Sequence, residues 1–413
     1  MSTVVLPQLN LAALPVRRAL HGFGLALMAG FIFFACFAFS EVAPYDVVAV
    51  PTILVWLGLG IRLHRGALPF AGLMLLYLGA VMVALMPYLD ETLPVTWTIQ
   101  LAYLVVTGIF FAMFFSDDVD RRMELALKVY TASTLFSAAL GLGGYLGLIG
   151  EDGLFSRWGR ASGTFQDPNV FGSFLILGAL YLMHNLLSGR ARHPVLSVAG
   201  LLVLMMGILL SFSRGSWGAT IVASAIMVAC LYRCAPRPLR RRIALLSGVT
   251  LALALLAFAA LLSVGSVAQT LSQRASVTQD YDEGETGRFG NQLRGLGMLV
   301  EEPLGMGPLR WRRIFEVEPH NSYIGSFSNG GWLAGATFLL LVGTTAVVGI
   351  RLMLVASPYR RFAQIVVPAL LAFFLQALQI DVEKWRHVYM MLGMVWGLEA
   401  ARRRWCAGRA ATG

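Results

Sequence analysis

The sequence predicts an all-α polytopic membrane protein with about twelve transmembrane helices and one large loop late in the chain, and three observations carry that prediction. Of the 413 residues, 57% are hydrophobic and only 13% charged, with a mean hydropathy of +0.71, too apolar for a soluble domain. Apolar runs approaching the length that spans a bilayer recur from end to end. Lys and Arg gather at the two termini and in every second connection between those runs.

In order, the spans are 19–39, 44–61, 68–89, 93–115, 125–149, 170–187, 195–212, 217–232, 243–267, 323–350, 362–380 and 388–401. The first is read as a retained span, because no cleavable signal pattern precedes it. Glycine and proline are scattered through the runs, so kinked helices are expected. The last run is the shortest and the weakest. No soluble domain is expected after it, and the whole of 1–413 reads as a single transmembrane domain.

Basic clusters at Arg17 and Arg18, Arg62 and Arg65, Arg121, Arg122 and Lys128, Arg190 and Arg192, 233–242, 351–361 and 402–409 orient the chain. By the positive-inside rule both termini are cytoplasmic. The net charge of +10 then belongs to membrane orientation, and a nucleic-acid partner has nothing left to explain. Cys36, Cys230, Cys234 and Cys406 have no outer-loop partners, so no disulfide framework is implied; Cys230 and Cys234 read as small packing residues.

Most connections are short. The exception is 265–319, between the ninth and tenth spans, long enough to have a task of its own. Its first part is polar and acidic, with the run DYDEGE at 280–285. Its second part carries Leu293, Leu296, Leu299 and Val300 at helical spacing, which predicts an amphipathic helix on the membrane surface. The loop reads as a lid over the outer face.

Several basic residues stand on that face against the trend, at the ends of spans: Arg160 in RASGTFQDPNVFG, Arg214 in SFSRGSWG, Arg288 in GETGRFG, and Lys384 and Arg386 in DVEKWRH. Any one of them can be read as a side chain snorkelling to headgroup phosphates. Together they are candidates for one cationic pocket. Arg214 is the sharpest, because it is the only charge between Pro194 and Arg233 and its turn offers no opposite charge. A helix is expected to start just after it, at Ser216 or Trp217, and an arginine fork beside a helix N-terminus suits a phosphate oxygen.

The second feature is EPHNSYIGSFSNGGWLAG, from Glu318 to Gly335. Asn321 or Ser322 can cap the helix that follows, which holds His320 at a helix start on the outer face. Its bland reading is a hydrogen-bonded interface histidine. Its functional reading is a general base, with nearby arginines lowering the imidazole pKa and keeping it neutral. Gly325, Ser328, Gly331 and Gly335 recur at spacings of three and four and read as a helix-packing face.

In that order, RASGTFQDPNVFG, SFSRGSWG, the lid segment TGRFGNQLRGLGMLVEEPLGMG and PHNSYIGSFSNGGWLAG resemble the O-antigen ligase/polymerase superfamily, over about Arg160 to Gly335. The lid departs from the family look, since 289–299 lacks a tryptophan and Trp311 lies downstream. The resemblance implies a GT-C-type glycosyltransferase of the bacterial inner membrane, with its active site periplasmic. It would move O-antigen glycan from undecaprenyl diphosphate to lipid A-core oligosaccharide in lipopolysaccharide biosynthesis, among membrane lipids. Polymerase, with a second lipid-linked repeat unit as acceptor, is the neighbouring reading.

On this reading Arg214 and Arg288 bind the donor diphosphate with Arg160 as a third contact, His320 deprotonates the acceptor, and Asn321 and Tyr323 orient the reactants. One base and no protein nucleophile imply inversion. No cofactor and no metal are expected, and DYDEGE reads as a solvated surface. The alternative of another class is a lipid-linked glycan transporter or flippase. Against ion-coupled transport, the middles of the spans are nearly free of ionisable residues.

Overall fold

A computed structural model describes residues 15–39, 43–150, 153–262 and 287–410. The first half of the long loop, with Asp280 to Glu285, lies outside the described residues. Among the described residues, twelve helices correspond to the twelve predicted spans: α1 (Pro15–Phe33), α2 (Pro44–Gly58), α3 (Leu68–Leu85), α4 (Thr92–Phe114), α5 (Val119–Tyr145), α6 (Pro168–Ser188), α7 (Pro194–Leu210), α8 (Arg214–Cys234), α9 (Arg237–Leu262), α12 (Ser322–Leu354), α13 (Arg360–Gln376) and α14 (Arg386–Ala410). Among the described residues, two shorter helices, α10 (Arg288–Glu301) and α11 (Trp311–Phe315), lie in the second half of the long loop, the segment called the lid below. The one small sheet among the described residues is the hairpin of β1 (Ser156–Arg157) and β2 (Arg160–Ala161). Among the described residues, seven helices pass as membrane-crossing by length and apolarity, and α2 and α7 are shorter apolar ones. The molecule is an all-α polytopic membrane protein.

Ion pairs and hydrogen bonds sort the connections onto two ends, as alternating spans require. At the end bearing the termini, Arg404 pairs with Asp117 (2.7 Å), Arg361 with Asp120 (3.0 Å), and the fully buried Glu399 with Arg351, Arg402 and Arg403. At the other end, Arg386 pairs with Asp46 (2.7 Å), Arg310 with Glu91 (2.5 Å), and Ala38 donates its N–H to the Thr164 carbonyl (3.0 Å). That second end holds the lid.

The weakest predicted span is the most enclosed one: every residue of α14 from His387 to Ala401 is buried. It packs against α4, α12 and α13, so protein rather than lipid surrounds it and its moderate hydropathy is no handicap. The helix also runs on through Arg402–Arg404 to Ala410, well past the predicted end.

Two of the small residues of α12, Ser328 and Gly331, meet the backbone of the long loop. The helix is kinked at Gly330 and Gly331, where Gly331 has φ +71°. Lid backbone threads into the kink: Met306 donates its N–H to the Ser328 carbonyl (2.8 Å) and Trp332 donates to that of Pro303 (3.0 Å). A side chain at Gly331 would collide with this strand. The break therefore seats the lid on the bundle.

Candidate active site

The first arm of the site is the 156–173 segment. Trp158 and Gly159, both with positive φ, turn the β hairpin, a conformation that tight two-residue hairpins require. Arg160 follows and is buried, 7% exposed. Its Nε donates to the Ser211 carbonyl (2.7 Å) and its Nη2 to Asn169 Oδ1 (2.7 Å). These bonds tie the start of α6 to the turn that carries Arg214. Their geometry is that of a strut under the turn.

The second arm is that turn. Ser211 closes α7, Phe212 adopts φ +45°, and Ser213 caps α8 by accepting from the Ser216 N–H (3.2 Å). A bulky residue in the left-handed region is an outlier held by its surroundings. Helix α8 begins at Arg214, two residues earlier than expected, because the serine that caps it is Ser213. Arg214 is thus the first helical residue, half-buried. Ser216 Oγ meets the Asn169 carbonyl (3.1 Å) and Ser173 Oγ (3.0 Å), and Gln376 Nε2 donates to Ser173 Oγ (2.9 Å). Gly215 lies against the same Gln376 amide.

The lid brings the third arm. Arg288 opens α10, and its Nη1 donates to the Gln379 carbonyl (3.4 Å). Leu293, Leu296 and Val300 are exposed, whereas Leu299 is buried with Met306, Trp311, Phe315 and Ile324. That is the one-sided helix the spacing predicts. Trp311 packs on Gly295, so the tryptophan missing from the first lid helix returns to it through space. Arg310 and Arg313 both reach Glu91, at 2.5 and 3.5 Å, and hold the lid to the α3–α4 connection.

The fourth arm holds the histidine. His320 has φ +46° and a half-exposed ring whose Nδ1 lies 3.2 Å from Asp381 Oδ2. The other oxygen of Asp381 accepts from the Asn321 N–H (3.1 Å). Asn321 caps α12, its Oδ1 accepting from the Tyr323 and Ile324 N–H groups at 3.0 and 3.2 Å. Tyr323 donates its hydroxyl to the Phe374 carbonyl (2.8 Å), and Ser322 donates its N–H to that of Ala377 (2.8 Å) and its hydroxyl to that of Ile380 (3.0 Å). Asn321 and Tyr323 are thus engaged in fixing the helix start.

All four arms converge on one short stretch, from Phe374 to Asp381, where α13 ends. Gln376 receives the first two, Gln379 the third and Asp381 the fourth. Asp381 is the residue that sequence reasoning missed, and its hydrogen bond lifts the His320 pKa above the ordinary value. Burial and the Arg288 charge pull the other way, and Asp381 prevails because it touches the ring. The arginine-lowered pKa expected from sequence is thereby corrected.

Beside it, Glu383 Oε2 is shielded and has no hydrogen-bond partner among the described residues. Burial, and then the Asp381 charge, push its carboxyl well above the usual carboxylate range. The other two basic candidates are engaged nearby: Arg386 with Asp46, and Lys384 with Gln100 Oε1 (3.0 Å) over the Trp97 ring. Among the described residues no three His, Cys, Asp or Glu side chains are grouped to hold a metal.

A family model described as O-antigen ligase matches residues 199–340. The match takes in Arg214, Arg288 and His320, and leaves Arg160, Asp381 and Glu383 outside. No curated protein matches the chain.

Proposed function

We propose that this membrane protein, with its O-antigen ligase family match over residues 199–340, is a glycosyltransferase that moves O-antigen glycan from undecaprenyl diphosphate to lipid A-core oligosaccharide. The site faces the periplasm of a bacterial inner membrane, where no nucleotide sugar is at hand and an activated donor arrives attached to a lipid. One observation carries the reading: a histidine backed by a carboxylate, and arginines at the starts of two helices, are gathered by a single stretch of backbone.

The chemistry follows from those groups. Nδ1 of His320 is engaged by Asp381, which leaves Nε2 to take the proton from the acceptor hydroxyl. The hydroxyl oxygen forms a bond to the anomeric carbon while the bond from that carbon to the diphosphate breaks, and the diphosphate leaves with the electron pair. Arg214 and Arg288 neutralise the charge that develops on it. Displacement in one step inverts the anomeric centre. Arg160 acts through the turn it supports, and Asn321 and Tyr323 act by fixing the base.

The same arginines make a divalent metal unnecessary. Transfer should persist in excess EDTA; its loss on chelation and return with Mg²⁺ would shift attention to the acidic run at 280–285. The deciding experiment is reconstitution with a lipid-diphosphate glycan and lipid A-core. Glycan on the core supports the ligase, polymerised lipid-linked donor assigns a polymerase, and glycan crossing the membrane unchanged would mean a transporter.

A further inference from the structure

We propose that the end of the bundle bearing the termini carries a second phosphate site, separate from the transfer site, which takes the headgroup of an anionic phospholipid. A cavity of about 170 Å³ opens there between α1, the end of α2 and the start of α5, lined by Arg17, His21, Trp56, Gly60, Asp117 and Arg122. Arg122 is the informative residue. It is 7% exposed, its Nη1 donates to the Phe114 carbonyl (2.7 Å), and its guanidinium lies over the rings of Trp56 (4.7 Å) and Phe114 (4.8 Å). Its Nε is shielded and has no hydrogen-bond partner among the described residues.

A buried guanidinium with an idle donor is costly unless an acceptor arrives. The acidic wall residue does not supply one. Asp117 Oδ1 is occupied by Arg404 (2.7 Å) and by His64 (3.0 Å). Those contacts hold its carboxyl below the ordinary range although burial opposes ionisation, and Arg404 offsets its charge. Arg17 and Arg122 then leave the cavity positive.

The cavity is also stiff. Trp56 Nε1 donates to the Gly24 carbonyl (2.9 Å), and His21 stands edge-on to the indole at 5.3 Å. A planar fork on a rigid aromatic wall suits a tetrahedral phosphate oxygen. The surroundings favour a lipid as its source. Leu20 and Phe23, on either side of His21 in α1, are 40% and 56% exposed and offer an apolar track for acyl chains.

The test is native mass spectrometry of the full-length protein in detergent, titrated with phosphatidylglycerol, phosphatidylcholine or inorganic phosphate. Wild type should retain one phosphatidylglycerol in preference to phosphatidylcholine. Arg122→Gln should weaken that binding by roughly ten- to a hundred-fold, the range of one charge-assisted hydrogen bond. Arg17→Gln, at an exposed position, should weaken it without disturbing the fold. The double variant R240Q/R241Q, in the basic first turns of α9, should bind as wild type does. Equal retention of phosphatidylcholine, or undiminished phosphatidylglycerol binding by Arg17→Gln and a folded Arg122→Gln, would overturn the site. Occupancy by inorganic phosphate with no lipid retained would overturn the lipid source. None of these readouts depends on glycan transfer.

Discussion

At the scale of single residues, the candidate site rests on a histidine whose protonation is set by one carboxylate. Because the folded pKa of His320 lies above 6.5, its pairing with Asp381 stabilises the protein fully below 6.5, and that contribution is lost as pH rises through the folded value. A base works only when neutral, so transfer should rise with pH through the same raised value. Asp381→Asn removes the main cause of the shift, and the rising limb of the pH–rate profile should move to lower pH as the rate falls. An unmoved limb would mean that another group titrates. His320→Ala should cost about a hundred- to ten-thousand-fold. Arg214→Lys keeps the charge but loses the fork, and should impair transfer strongly while the protein still inserts. Near-normal rates from well-inserted variants would return both residues to capping and snorkelling roles.

At the scale of elements, the lid is built so that its packing fixes Arg288. That arginine opens α10, and the buried face of α10 is held by Trp311 stacked on Gly295. Gly295→Ala would drive a methyl group into the indole, an overpacking that costs about 1–3 kcal/mol. Transfer should fall further than the change in thermal midpoint alone explains, whereas Leu293→Ala, on the exposed face, should alter neither. Normal transfer by Gly295→Ala would show that α10 packing does not govern the site. These elements also mark what could be read from sequence. The amphipathic spacing of Leu293, Leu296, Leu299 and Val300 announces α10, and the isolated charge of Arg214 announces a special turn, because both break a local pattern. Asp381 and Glu383 break none. They sit in a polar connection, DVEKWRH, and the link from Asp381 to His320 spans 61 positions that only the tertiary fold closes. The partners of Arg160 were hidden for the same reason, since they lie on α6 and at the end of α7. The enclosure of α14 was equally illegible, because hydropathy measures affinity for lipid and says nothing of being surrounded by other helices.

At the scale of the whole molecule, the argument turns on which end faces which compartment. The contacts that pair Arg310 with Glu91, Arg386 with Asp46 and His320 with Asp381 gather the lid and the starts of the even-numbered spans on one side. Those linking Arg404 to Asp117 and Arg361 to Asp120 gather the termini and most of the basic clusters on the other. A bilayer with the basic end in the cytoplasm puts the lid in the periplasm. Ser216 and Ser322, inside the site, are buried and would hide an introduced thiol, so exposed positions are needed to test this. Glu302 at the lid and Pro236 between α8 and α9 are both exposed. A cysteine at Glu302 should react with a membrane-impermeant thiol reagent added to spheroplasts, and one at Pro236 only after the membrane is permeabilised. The native thiols should interfere little, since Cys36 is buried and Cys230, Cys234 and Cys406 are partly so. Labelling in the reverse pattern would open the lid to nucleotide sugars, and the lipid-linked donor would lose the reason for which it is invoked.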